Sequence, residues 1–78
     1  MESIVNNSTD FLVYANEMLS YSFPNENVHI LEAKRSGKEY VLRVSISGIE
    51  LCAQADTGYD AICQIEIQYE YISKSINQ

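Results

Sequence analysis

Two hydrophobic periods alternate along this chain. Between about Thr9 and Ser22, Leu12, Ala15 and Leu19 recur at i, i+3 and i+7, with Phe11, Ala15 and Met18 in the adjacent row. That spacing predicts a helix with one apolar face, and Asn16, Glu17 and Ser20 fall opposite it. The run NNSTD offers several N-caps in front, and Asp10 suits the positive end of the helix dipole. Pro24 ends the element, because its ring disfavours a helical conformation at Phe23. The period then changes to two. Val28 to Lys34 reads as a strand, with Val28 and Ile30 on one face and His29, Leu31 and Ala33 on the other. KRSGKE is a hairpin turn built on Ser36-Gly37. Glu39 to Ser47 sets Tyr40, Leu42, Val44 and Ile46 against Val41, Arg43, Ser45 and Ser47. Ser47-Gly48 turns the chain again, and Ile49 to Ala55 places Ile49, Leu51, Ala53 and Ala55 opposite Glu50, Cys52 and Gln54.

The last element begins at Asp56 or Thr57. Thr57 and Asp60 have capping-box spacing, with Asp in place of Glu, while Gly58 costs helix propensity. Ala61, Ile62, Ile65, Tyr69, Ile72 and Ile76 then form one stripe at i, i+3, i+4 spacing. Residues 65–71 also alternate with period two, as a strand would. The unbroken stripe and the cap favour helix. The expected fold is therefore α+β: a two-layer sandwich with two helices on one face of a mainly antiparallel sheet, in the order (β)αβββα. The sheet has three strands, or four if Ile4-Val5 forms a first edge strand. Residues 1–78 make a single domain.

Composition changes this picture in one respect. With 46% apolar and 21% charged residues the chain is ordinary for a globular domain, and no apolar run approaches the roughly 20 residues of a membrane span. The N-terminus lacks the basic and apolar regions of a secretory signal, so a cytoplasmic location is expected. The net charge of −6, however, opposes unaided approach to phosphate backbones. The basic residues are also concentrated: Lys34, Arg35 and Lys38 lie within five residues, with Arg43 nearby.

Candidate chemistry is sparse. Cys52 and Cys63 read as small apolar residues, and with His29 they make no zinc ligand set. Cys52 and His29 share the open sheet face, yet a thiolate nucleophile needs a positive pocket around it. Asp56–Asp60 and Glu66–Glu70 have the spacing of a helix terminus and a solvated helix face. Gly37, Gly48 and Gly58 are isolated, so there is no phosphate loop. No enzyme activity, cofactor or metal is expected. Of six tyrosines most should pack, with Tyr21 and Tyr71 the ones exposed to a partner.

The phrases VHILEA, SGIELCAQAD and TGYDAICQIEIQYEYISKS, with STDFLVYANEMLS ahead of them, resemble the ribosome hibernation-promoting factor family, also described as ribosome-associated inhibitor or sigma-54 modulation proteins. The likeness covers about 65 residues, more tightly from Val28 onward. It implies a βαβββα fold and binding to ribosomal RNA of the small subunit, where the family blocks translation under stress. This chain would be a shortened and unusually acidic member. The family docks through Lys and Arg on its helices and nearby loops, whereas these helices carry Asp10, Glu17, Glu66 and Glu70 with only Lys74.

Two functions follow as expectations. The first is a non-enzymatic ribosome-associated factor that modulates translation, with Lys34, Arg35 and Lys38 on phosphates, supported by Arg43 and Lys74. The second is a small acidic protein-binding inhibitor that blocks a basic partner enzyme, for example by mimicking nucleic acid. Asp10, Glu17, Glu66 and Glu70 would be its working surface. A homodimer through the open sheet face is a third arrangement.

Overall fold

The computed structural model describes residues 8–76, and the candidate strand at Ile4-Val5 lies outside them. The order is α1 (Ser8–Ser22), β1 (Val28–Ser36), β2 (Glu39–Ile46), β3 (Ile49–Ala55) and α2 (Gly58–Ile76). The strands form an antiparallel sheet in the order β1-β2-β3. This is the expected α+β fold, with the described residues running αβββα. Leu42, Val44, Ile46, Leu51, Ala53 and Ala55 alternate onto one sheet face. They form a single core with Phe11, Ala15 and Leu19 of α1 and Ala61, Ile62, Ile65 and Tyr69 of α2. Each large side chain fully buried here contributes roughly 1.5–3 kcal/mol, so a domain this small depends on all of them.

Turn chemistry sets the register. Ile46 pairs with Ile49, leaving Ser47-Gly48 as a two-residue loop with φ of 51° and 87°. Both values are left-handed, as a type I′ hairpin requires. In the first hairpin Ser36 pairs with Glu39, so the loop is Gly37-Lys38 rather than Ser36-Gly37. Gly37 supplies the positive φ of 64°.

Strand β1 departs from simple alternation. Val28 pairs with Ile46 and Ile30 with Val44, but Glu32 then pairs with Arg43 and Ala33 with Leu42. Leu31 is the extra residue of a β-bulge, and beyond it the two faces exchange. Ala33 therefore joins the core at 7% exposure instead of sharing the open face with His29. Arg35 lies opposite Tyr40 on the helix side, while Glu32 and Lys34 join Arg43 on the open side.

Both helices run in the same direction. Phe11 touches Gly58, Ser22 bonds to Glu66 and Phe23 packs on Tyr69, so residue numbers rise together. Helix α1 lies over β1 and α2 over β3 and β2. The buried row of α1 is Phe11, Ala15 and Leu19, with Met18 beside it. Leu12 falls outside that row at 41% exposure, because α1 packs mainly on β1 and α2 and buries a narrow stripe. Thr57 caps α2: the Asp60 N–H donates to Thr57 Oγ1 at 3.0 Å. Further along α2, Gln64 and Gln68 donate from Nε2 to the carbonyls of Gln54 and Cys52, at 3.4 and 3.0 Å. These bonds occupy outward carbonyls of edge strand β3, which would otherwise be open to pairing with another chain.

Candidate interaction surface

The two layers carry different charge. Strands β1–β3 hold three carboxylates (Glu32, Glu39, Glu50) and three bases (Lys34, Arg35, Arg43). The two helices hold five carboxylates (Asp10, Glu17, Asp60, Glu66, Glu70) and one base, Lys74. The acidic excess of the described residues is thus concentrated in the helix layer.

Strand alternation puts Lys34 and Arg35 on opposite faces, and the bulge decides which face each takes. Glu32 sits between two bases, with Lys34 Nζ at 3.3 Å and Arg43 Nη1 at 3.4 Å. These pairs are half-exposed and add at most about 1 kcal/mol, but they place a carboxylate in the middle of the group. Arg35, on the other side of the sheet, has its guanidinium 5.3 Å from the centre of the Tyr40 ring. Tyr40 is in turn edge-to-face with Phe11, at 5.0 Å and 73°. Lys38 projects at the exposed hairpin tip, and Lys74 is distant in the last turn of α2. The five candidate RNA-contacting bases do not share one face: Lys34 and Arg43 meet Glu32 on the open side, Arg35 is on the helix side, Lys38 is at the hairpin tip and Lys74 is on α2.

Exposed apolar and aromatic bulk follows the acidic layer. Seven of the eight large apolar side chains exposed among the described residues are on the helices; only Leu31, in the bulge, is not. Tyr21 at 85% and Tyr71 at 74% exposure are the two tyrosines expected to face a partner. Tyr14, Tyr59 and Ile67 were not anticipated. For Ile67 the signal was in the sequence: Ile67 and Tyr71 made residues 65–71 look strand-like, and both lie off the buried stripe of α2. Tyr59 and Tyr14 come close across the two helices, and a hydrogen bond with Cys63 raises the Tyr59 phenol above its ordinary pKa.

Asp10 and Glu17 are exposed on α1, and Glu66 and Glu70 line α2. Glu66 accepts a 2.5 Å hydrogen bond from Ser22 Oγ, and Glu26 in the α1–β1 loop accepts one of 2.5 Å from Ser47 Oγ. Both carboxylates are held by hydroxyls, which orient them without cancelling their charge. The Tyr69 phenol is pushed above its ordinary pKa by burial and then by the neighbouring Glu26 carboxylate, with Ser47 opposing.

No group of three or more His, Cys, Asp or Glu among the described residues could hold a metal ion. Cys52 is exposed on the open face across from Arg43, and Cys63 is half-buried on α2. Among the described residues no helix is long and apolar enough to cross a membrane. No protein-family model, curated protein or solved structure matches the chain. Function therefore has to be argued from the surface.

Proposed function

We propose that this chain is a non-enzymatic protein-binding module, a small acidic inhibitor whose helix layer docks on a basic surface of a partner protein. One observation carries the reading. Exposed tyrosines and unneutralised carboxylates coincide on the same layer, while the sheet layer is charge-balanced. Tyrosine supplies contact area at low entropic cost and is enriched in interfaces. Carboxylates speed encounter with a basic site and select against acidic partners. Asp10, Glu17, Glu66 and Glu70 serve as the phosphate-like charges, and Tyr14, Tyr21, Tyr59 and Tyr71 surround them. A nucleic-acid-binding enzyme presents the kind of basic groove such a layer fits.

The test is affinity capture with the intact chain and with an Asp10→Lys/Glu17→Lys/Glu70→Lys variant, each checked for native circular dichroism. A single basic protein, displaced by added nucleic acid and lost with the variant, is expected. Capture dominated by ribosomal proteins, or capture unchanged by charge reversal, sinks the proposal.

A ribosome-associated, hibernation-factor-like role in the cytoplasm is the second reading. It draws support from the element order and from Lys38 at the hairpin tip. We rank it lower because two of its phosphate-contacting bases are engaged by Glu32. Sedimentation with the small ribosomal subunit at low salt, weakened by Lys38→Glu, would reverse the ranking.

A further inference from the structure

Where α1 ends, the chain leaves a groove of about 400 Å³ lined by Phe23, Tyr69, Glu70, Ser73 and Lys74. Its floor is aromatic: Phe23 and Tyr69 meet edge-to-face at 5.1 Å and 68°. Two features of its surroundings favour a cation, the end of α1 and the nearby carboxylates. The last turn of α1 contains no basic residue. The Phe23 N–H reaches the Leu19 carbonyl at 2.9 Å, but Pro24 has no N–H to give the Ser20 carbonyl. The negative end of the helix is therefore open. Finally, Glu70 forms one wall, and Glu66 and Glu26 stand nearby with hydroxyl partners only.

We infer that this groove is the anchor site of the docking surface and that it receives an arginine side chain from the basic partner. Arginine fits for reasons the lysine ammonium does not share. Its planar guanidinium stacks on an aromatic floor and pairs with a carboxylate through two parallel hydrogen bonds. The stem lies on Phe23 and the exposed edge of Tyr69, and the head reaches Glu70. Lys74 also lines the groove and opposes entry, so it tunes affinity downward. The inference rests on the proposed helix-layer docking and adds where it is centred and which side chain enters.

The probe is a blocked tripeptide, acetyl-Gly-Arg-Gly-amide, titrated into the isotopically labelled intact chain and followed by backbone amide shifts. The acetyl-Gly-Glu-Gly-amide and acetyl-Gly-Leu-Gly-amide peptides are the controls. The arginine peptide should move Phe23, Tyr69, Glu70 and Ser73 well before Asp10 or Glu50. Glu70→Lys should weaken it roughly fivefold, the upper range for one partly exposed ion pair. Lys74→Gln should tighten it roughly twofold by removing a like charge. Both positions are on an exposed helix face, so the fold is not at stake. Shifts spread evenly over all carboxylates, equal binding of the glutamate peptide, or loss of binding with Lys74→Gln overturns the inference. If Glu70→Lys alone leaves partner capture intact, the groove is refuted while helix-layer docking stands.

Discussion

Gly58 of α2 brings its backbone close against Phe11 of α1. It occupies the first turn of α2, where alanine would ordinarily be the better residue by up to about 1 kcal/mol. A Cβ built there would lie 3.0 Å from Phe11 Cε1 and 3.3 Å from Cδ1. The Phe11 ring has little room to retreat, since it is buried in the core and packed edge-to-face on the Tyr40 ring at 5.0 Å. Overpacking a fixed aromatic ring costs about 1–3 kcal/mol. Set against the propensity gain, Gly58→Ala should lower stability by about 1 kcal/mol, or roughly 4–8 °C in Tm for a domain of this size. Urea unfolding of Gly58→Ala, Phe11→Leu and the double variant measures this directly. The loss should largely vanish in the Phe11→Leu background, where the ring atoms facing Gly58 are gone. Stabilisation by Gly58→Ala alone, or equal effects in both backgrounds, would refute the packing argument.

Three further outcomes are expected. Ser47 holds a left-handed φ of 51°, so Ser47→Val should cost about 1–3 kcal/mol while Ser47→Asn is tolerated, read by thermal unfolding. The Tyr69 phenol has a raised pKa in the folded chain, so its contribution is fully present below the ordinary tyrosine pKa and is lost as pH climbs through the folded value. Unfolding curves from pH 8 to 11, as an assay range of about that width, should therefore show a steeper alkaline loss of stability than in Tyr69→Phe. Glu32→Gln removes the carboxylate between Lys34 and Arg43; stability should change by less than about 1 kcal/mol, while salt-sensitive retention on heparin increases.

Much of the fold could be read from the residues, for identifiable reasons. Strands β2 and β3 each bury one face, so their alternation is clean, and Ser47-Gly48 is a turn with a stereochemical requirement. Strand β1 hid its bulge. Its mark is only that Glu32 and Lys34 follow Val28 and Ile30 in strict alternation, which would place charge on the core face unless one residue is inserted. That single insertion put Ala33 and Arg35 on the helix side and Lys34 on the open side, where it and Arg43 meet Glu32, while the split between Lys34 and Arg35 is alternation alone. Helix α1 misled in a similar way, since Leu12 and Val13 extend its apolar character beyond the row that β1 can cover. Capping at Thr57 was visible as a local spacing, whereas the reason for Gly58 lies 47 positions back at Phe11 and needs tertiary structure to appear.

On the proposed reading the helix layer, and not the basic residues of the sheet layer, makes the functional contact. Quantitative capture should compare two charge-matched sets in the intact chain: Asp10→Asn, Glu17→Gln and Glu70→Gln on the helices, and Lys34→Gln, Lys38→Gln and Arg43→Gln on the sheet. The helix set should abolish recovery of the partner, and the sheet set should leave it unchanged. Loss of the partner with the sheet set, while the helix set binds normally, would contradict the account.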